Sequence, residues 1–211
     1  MELGDEISPS VNRCVRALFF ELDHRVIQGI QELVPSYRSL LVIYNSLVIS
    51  SSRLREEIRV AYRELKHTPA PRFRTVRVPV AYGGVYGPDL EWVAAYQGIS
   101  PEDVISYHTG ETYQVYMLGF TPGYPYMGDL PEAIVTPRRE TPRTSVPRGS
   151  VAIAQNQTGI YPVESPGGWH VIGRTPLKLF DLKKNPPALL EMGALVEFYA
   201  ISEEEMARWM P

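Results

Sequence analysis

Cysteine, lysine and long apolar runs are all scarce in this sequence of 211 residues. The single cysteine, Cys14, has no partner for an internal disulfide, which favours a cytoplasmic protein, and its helical surroundings predict a buried thiol. No apolar run approaches the roughly 20 residues that span a bilayer, so we predict no membrane segment. The net charge is −3. A general nucleic-acid-binding protein carries a basic excess, so this class is excluded.

The sequence also lacks a self-contained catalytic motif. The glycine-rich stretch from Gly83 to Gly87 runs into Pro88 and contains no lysine, so it is not a phosphate-binding loop. No G-x-S-x-G nucleophile elbow is present. The four histidines (24, 67, 108 and 170) are scattered, and we predict no metal site. Any catalysis is therefore expected to depend on positioning and charge, with groups supplied by another chain.

The first 72 residues predict a small α/β domain with the order helix, strand, strand, helix. Its elements are expected at residues 9–23, 28–34, 38–44 and from the Ser51/Ser52 cap to about 66. This order matches a ferredoxin-like unit without its opening strand. We expect the natural chain to begin upstream of Met1, and the alternative is a small domain that has lost this strand. Residues 67–72 contain two prolines and predict a linker, which places the domain boundary at residue 72.

Residues 73–211 predict the second domain, and one proline- and glycine-rich stretch dominates it. Gly119–Asp181 holds nine of the 19 prolines and eight of the 16 glycines. Helices are expected at 88–96, 100–108 and 203–209, and longer strands at 75–82, 112–118 and 195–200. Short strands are expected at 150–154, 159–161, 170–172 and 177–180. Proline restricts the connecting loops, so they are suited to holding side chains in fixed positions above a sheet.

Four arginines follow each other closely in that stretch. Arg138, Arg139, Arg143 and Arg148 face one acid, Glu140, in the same segment. Guanidinium groups bind carboxylates or phosphates bidentately, so Arg138 and Arg143 are candidate substrate-binding residues. The alternative is that they neutralise acids or face water. Arg139 and Arg148 are predicted to lie on the surface.

A second candidate group is the Pro166–His170 segment. Gly167 and Gly168 permit positive φ angles, so their N–H groups are candidate donors to an anion, and Trp169 offers an apolar wall. His170 exchanges protons near neutral pH, and Arg174 follows on the same strand, so both are candidate catalytic residues. The alternative is a hairpin turn followed by a buried tryptophan, with a structural histidine.

A third group is the aromatic loop Gly119–Tyr126, in which proline and glycine alternate with Phe120, Tyr124 and Tyr126. Tyr124 is a candidate wall of a small-molecule pocket, whereas Phe120 is expected to pack. The same loop is also suited to docking a protein partner.

Several motifs in this order resemble a known family: GFTPGYPYM at Gly119–Met127, PRRETPRTSVPRGSVAI at Pro137–Ile153, TGIYPVESPGGWHVIGRTP at Thr158–Pro176, and LFD at Leu179–Asp181. The family contains the B-type subunit of 5-oxoprolinase, subunit 1 of allophanate hydrolase-like proteins and the Kip inhibitor of a histidine kinase. The resemblance continues upstream through Val34–Tyr44 and Val78–Gly84, so it covers nearly the whole chain.

The resemblance implies an α+β protein, with a small ferredoxin-like domain followed by a cyclophilin-like β-barrel. It also implies an ATP-dependent complex that opens 5-oxo-L-proline to L-glutamate together with subunits A and C, the latter a related barrel. The matching motifs carry a set of candidate site positions onto this chain: Tyr124, Arg138, Arg143, Gly167, Gly168, His170 and Arg174. Two other functions stay open, a module that inhibits a sensor histidine kinase and a subunit of an allophanate hydrolase-like enzyme.

Overall fold

The computed structural model describes residues 1–65 and 74–209. The chain divides into two compact units, Met1–Arg72 and Phe73–Pro211. The predicted linker at residues 67–72 lies outside the described residues, so the boundary stays a prediction. Within the described ranges, no helix has the length and apolar character needed to cross a membrane.

The first unit is built from two helices and a two-stranded antiparallel sheet. Its elements are α1 (Pro9–Arg25), β1 (Ile30–Pro35), β2 (Leu40–Tyr44) and α2 (Ser51–Glu64). The α1 helix begins where predicted, because the Ser8 hydroxyl accepts a hydrogen bond from the Val11 N–H at 3.4 Å and Pro9 occupies the first turn. The cap of α2 is Ser50, one residue before the predicted position.

The core of this unit lies between α1, the sheet and α2. Val15, Leu18 and Leu22 of α1 are buried against Leu40 and Ala61. The prediction of a buried Cys14 is wrong, because this thiol is exposed. The buried apolar stripe of α1 is narrow, so Cys14, which directly precedes Val15 of this stripe, points to solvent.

A short extended segment at the start of the sequence pairs beside β2. The Leu3 N–H donates to the Arg38 carbonyl at 2.9 Å, and the Leu40 N–H donates to the Met1 carbonyl at 2.9 Å. Glu2 therefore pairs with Ser39 in a single antiparallel bridge beside β2.

The second unit is a closed barrel of seven strands. The barrel strands are β3 (Thr75–Tyr82), β4 (Thr112–Leu118), β5 (Pro125–Gly128), β7 (Ser150–Ala154), β8 (Gln157–Ile160), β10 (His170–Arg174) and β11 (Leu195–Ala200). Their order is β10-β3-β11-β4-β5-β8-β7, and only the pair of β3 and β11 is parallel within this barrel. The α+β class and the predicted barrel are thus confirmed.

Apolar side chains that alternate along the strands fill the barrel. Val78 and Val80 of β3 and Val196 of β11 are fully buried in this core. The predicted strand at 177–180 is wrong, since Phe180 forms only an isolated bridge with Ala188. Leu179 in this loop is buried, so the apolar character of the segment reflects core packing rather than sheet pairing.

Helices and a small two-stranded sheet surround the barrel and position the site. The helices are α3 (Leu90–Gln97), α4 (Pro101–Thr109) and α5 (Glu203–Trp209), with a 3-10 turn at Glu132–Ile134. Outside the barrel, β6 (Arg143–Val146) pairs with β9 (Ser165–Gly167). This pairing brings the arginine-rich segment against the segment that contains the two adjacent glycines.

Candidate functional site

A buried carboxylate, Asp89, lies at the centre of the arginine cluster. Asp89 directly precedes α3 and is 4% exposed. It accepts hydrogen bonds from Arg143 at 2.6 and 2.8 Å, from Arg139 at 2.7 Å and from the Val171 N–H at 2.7 Å. Burial acts to raise the pKa of Asp89, but these hydrogen bonds and the two positive charges outweigh it, so the pKa lies below its ordinary value. Asp89 is therefore ionised at neutral pH.

The segment around Arg138 is held from both sides. The Arg139 N–H donates to the Gly168 carbonyl at 2.9 Å, and the His170 imidazole contacts the Pro137 carbonyl through Nε2 at 3.0 Å. Arg138 itself is exposed, and it forms no ion pair with any acid in residues 1–65 and 74–209. Pro137 and Arg139, the residues on either side of Arg138, are thus held in place, while the Arg138 guanidinium can pair with the charge of a ligand.

His170 lies beneath a stack of aromatic rings. The Trp92 ring is parallel to the imidazole, with centroids 4.2 Å apart, and Tyr96 stacks on Trp92 at 5.1 Å. His170 is 3% exposed, and burial is the main cause that lowers its pKa. Because the Pro137 carbonyl can only accept, Nε2 carries the proton of the neutral ring. The buried Nδ1 has no hydrogen-bond partner among the described residues.

Two concave surfaces adjoin this cluster, and Arg138 lines both. The smaller one, the aromatic hollow, has a volume of about 260 Å³ and is lined by Phe120, Tyr124, Tyr126, Arg138, Pro142, Tyr161 and Pro166–Trp169. The larger one, the outer groove, has a volume of about 480 Å³ and is lined by Trp92, Tyr96, Pro137–Thr141 and His170. Trp169 and His170 face different concavities because successive residues of an extended chain point to opposite sides.

Most of the predicted site residues converge on these two concavities. Five of them line the aromatic hollow: Tyr124, Arg138, Gly167, Gly168 and Trp169. His170 lines the outer groove with Arg138. Arg143 lines neither concavity, and it shares the Asp89 carboxylate with Arg139.

Arg174 lies apart from the other candidates. It occupies the last position of β10, lines neither concavity, and donates from Nε to the Arg148 carbonyl at 2.8 Å. A catalytic role for Arg174 stays a prediction, and no contact with the two concavities supports it.

Two physical expectations at the site are corrected. Arg139 is not a simple surface residue, because Asp89 and Gly168 both hold it. Neither Gly167 nor Gly168 has a positive φ. Gly167 is instead required by close approach, since a Cβ there would lie 2.2 Å from the Tyr161 hydroxyl oxygen.

Sequence reasoning did not single out Asp89, Trp92 or Tyr96. Asp89 is 50 residues away from Arg139 in sequence, and no local pattern links them. A usable signal was present in α3, where Trp92 and Tyr96 are spaced by four residues on one helix face. Both are large aromatic residues that stay exposed, at 46% and 55%.

A sequence profile of the carboxyltransferase domain, subdomains C and D, matches residues 1–190. The chain belongs to this carboxyltransferase-domain family. The match includes every residue that lines the two concavities.

Curated relatives and solved structures resemble this chain over nearly its whole length. The B-type subunit of 5-oxoprolinase from Bacillus subtilis (strain 168) is 41% identical over 216 residues, which covers 97% of this chain and 90% of the relative. The predicted resemblance to this 5-oxoprolinase family is therefore confirmed. The crystal structure of TTHA0988 superposes with a TM-score of 0.84 and 37% identity over 96% of this chain, which spans 39% of TTHA0988. The conserved uncharacterized protein PH0987 from Pyrococcus horikoshii has a TM-score of 0.62 and 44% identity over 98% of this chain and 94% of its own.

Proposed function

We propose that this chain is a subunit of an ATP-dependent 5-oxoprolinase, which opens the lactam of 5-oxo-L-proline to L-glutamate. The observation that carries the proposal is the aromatic hollow with Arg138 on its wall, in a chain whose relative is the B-type subunit of 5-oxoprolinase. Water adds to the lactam carbonyl, the C–N bond breaks, and the nitrogen leaves as the amino group of glutamate.

The chemistry of the hollow suits a small ring with one carboxylate. Tyr124, Tyr126 and Trp169 supply apolar surface, with Tyr124–Trp169 and Tyr126–Trp169 ring centroids 6.0 and 5.8 Å apart. Arg138 supplies one unmatched positive charge, which binds a carboxylate through charge-assisted hydrogen bonds. The flat ring of 5-oxoproline packs on the aromatic rings while its carboxylate reaches the rim.

The residues of the two concavities do not fit a nucleoside triphosphate. Three phosphates require several cations or a cradle of backbone N–H groups. Arg138, Arg139 and Arg143 carry three positive charges, and Asp89 and Glu140 offset two of them, so the net charge of this group is +1. We therefore assign ATP to another part of the complex and derive no step through it on this chain.

A shared site with partner subunits is the second part of the proposal. Exposed aromatic side chains border both concavities: Phe120 is 61% exposed, and Trp92 and Tyr96 are also open to solvent. Such residues are enriched at protein interfaces. We propose that subunits A and C, the latter a related barrel, complete the site in the cytoplasm. Catalytic roles for His170 and Arg174 stay predictions within this scheme.

Reconstitution tests the proposed function. The chain is mixed with candidate subunits A and C, 5-oxo-L-proline and ATP, and glutamate release is measured with each component omitted in turn. Release that requires this chain supports the proposal, and release that is independent of it ends the proposal. Arg138→Ala should raise KM for 5-oxoproline by about 10- to 100-fold, since charge-assisted hydrogen bonds are lost. Arg148→Ala, an exposed arginine outside both concavities, is the matched control.

A further inference from the structure

We infer that Asp89 is a positioning residue that holds Arg138 at the rim of the aromatic hollow, where it meets the carboxylate of the bound ligand. The inference rests on the proposed function for the identity of that ligand. It assigns a task to a buried acid that lines neither concavity.

The first step is that Asp89 pairs with two arginines of the arginine segment, residues 138–143. Asp89 binds Arg143 bidentately and Arg139 through one oxygen, so one carboxylate holds two guanidinium groups. The side chains of both arginines are only partly exposed, at 28% for Arg139 and 26% for Arg143. Water screens such a partly buried network less than a surface ion pair, so the network is an effective anchor.

The second step is the geometry of the backbone on each side of Arg138. On one side, Arg139 is bound by its side chain to Asp89 and by its N–H to the Gly168 carbonyl. On the other side, the Pro137 carbonyl is held by His170. Arg138 thus lies between two fixed residues. Its side chain lines the hollow without an acid of its own in the described part of the chain.

The third step is that Asp89 also ties this segment to the barrel. Its carboxylate accepts the Val171 N–H at 2.7 Å, and its own N–H donates to the Val171 carbonyl at 2.9 Å. Val171 belongs to β10, next to Trp169 and Gly168, which line the hollow. Asp89 therefore joins the segment 139–143 to β10, whose preceding residues Gly168 and Trp169 line the hollow.

A positioning role predicts a specific kinetic signature. Arg138 binds the carboxylate, which does not react, so it contributes equally to the ground state and the transition state. Asp89→Asn in the assembled complex should raise KM for 5-oxoproline about tenfold through misplacement of Arg138, with kcat within about twofold of the wild type. Asp89→Glu should recover part of the loss, because it retains the charge.

A double-mutant cycle separates positioning from general structural support. If Asp89 acts through Arg138, Asp89→Asn adds less than about twofold to KM when Arg138 is already alanine. Arg139→Gln removes one of the two ion pairs and leaves Asp89 paired with Arg143. It should also raise KM in the wild-type background and add less than about twofold to KM when Arg138 is already alanine. This second variant keeps the test decisive if Asp89→Asn does not fold. Multiplicative effects on KM in both cycles would overturn the inference. Glu197→Gln, in an exposed pair with Arg77, is the control.

Hydrogen–deuterium exchange on the wild-type and variant chains supplies a readout that needs no substrate. Either network variant, Asp89→Asn or Arg139→Gln, should accelerate exchange in residues 137–143 and leave β11 unchanged. Unchanged exchange in that segment overturns the inference whatever the turnover shows.

The same two readouts distinguish failure of the inference from failure of the proposed function. If the network variants exchange faster while the reconstituted wild-type complex releases no glutamate, Asp89 orders the segment and the proposed function fails. If the complex releases glutamate while exchange in residues 137–143 is unchanged in both variants, the function stands and the inference fails.

Discussion

A buried histidine in the barrel should make the stability of the protein fall steeply in mild acid. His108 is fully buried, and its Nε2 contacts the Thr158 hydroxyl at 2.9 Å while its Nδ1 contacts the Tyr82 hydroxyl at 2.7 Å. The Thr158 hydroxyl donates onward to the Ala152 carbonyl at 3.2 Å. The proton of that hydroxyl is thus in use, so Nε2 donates to it and Nδ1 accepts from Tyr82. The network suits the neutral ring.

The magnitude follows from the difference between the folded and unfolded pKa of His108. Burial lowers the pKa of His108 from 6.5 to about 3 in the folded protein. Between these values the unfolded chain binds a proton that the folded chain refuses, so stability falls as the pH falls. The expected slope approaches about 1.4 kcal/mol per pH unit below about pH 6, and the loss amounts to about 2.3 kcal/mol between pH 6.5 and 4.5.

Urea unfolding at several pH values between 7 and 4.5 measures this slope. Since other groups also titrate in this range, the test is the difference between the wild type and His108→Asn, whose slope should be shallower by about 1.4 kcal/mol per unit. His24→Asn removes an exposed histidine and is the control. Parallel curves for wild type and His108→Asn, or an NMR titration of His108 near pH 6.5, would refute the reasoning.

Two further predictions concern the walls of the site. Gly167→Ala places a Cβ 2.2 Å from the Tyr161 hydroxyl oxygen, so it should destabilise the chain by about 1–3 kcal/mol in thermal unfolding and impair glutamate release. Gly168→Ala should be nearly neutral in stability, because the nearest neighbouring atom would be 3.6 Å away and its φ is ordinary. Trp92→Ala uncovers the His170 ring and should raise its pKa toward the ordinary value, which an NMR titration measures; an unchanged pKa would contradict burial as the cause.

Local patterns predicted much of the fold. The strands 112–118, 150–154 and 195–200 have the predicted bounds, because each is rich in aliphatic or aromatic residues and ends near turn residues. The failures occur where an apolar residue serves the core from a loop, as Leu179 does, or where a stripe is narrower than its pattern indicates, as at Cys14. In both cases tertiary contacts decide, and no short window of sequence contains them.

The sequence predicted several of the residues that line the hollow, but it did not predict the ion pairs among the charged residues of the site. The motifs contain Tyr124, Arg138, Gly167 and Trp169, which line one hollow in the structure because they lie on short strands and loops joined by restrictive turns. Nothing in the sequence indicated that Asp89 would pair with Arg139 and Arg143, while Arg138 forms no ion pair in the described residues. Long-range ion pairs leave no periodic signal, so the charge of a cluster cannot be read from the number of its arginines.

That pairing determines what the hollow can select. Of the three arginines from 138 to 143, two share the single charge of Asp89, and Glu140 lines the outer groove beside Arg138. Three positive and two negative charges leave these five groups with a net charge of +1, so the positive potential around Arg138 is modest. It matches a monocarboxylate and offers little to a multiply charged phosphate. The buried acid thus sets the available charge as well as the position of Arg138. If Asp89 did not pair with Arg139, the two adjacent arginines would favour a doubly charged ligand instead. The charge of the proposed lactam substrate therefore depends on the same buried network.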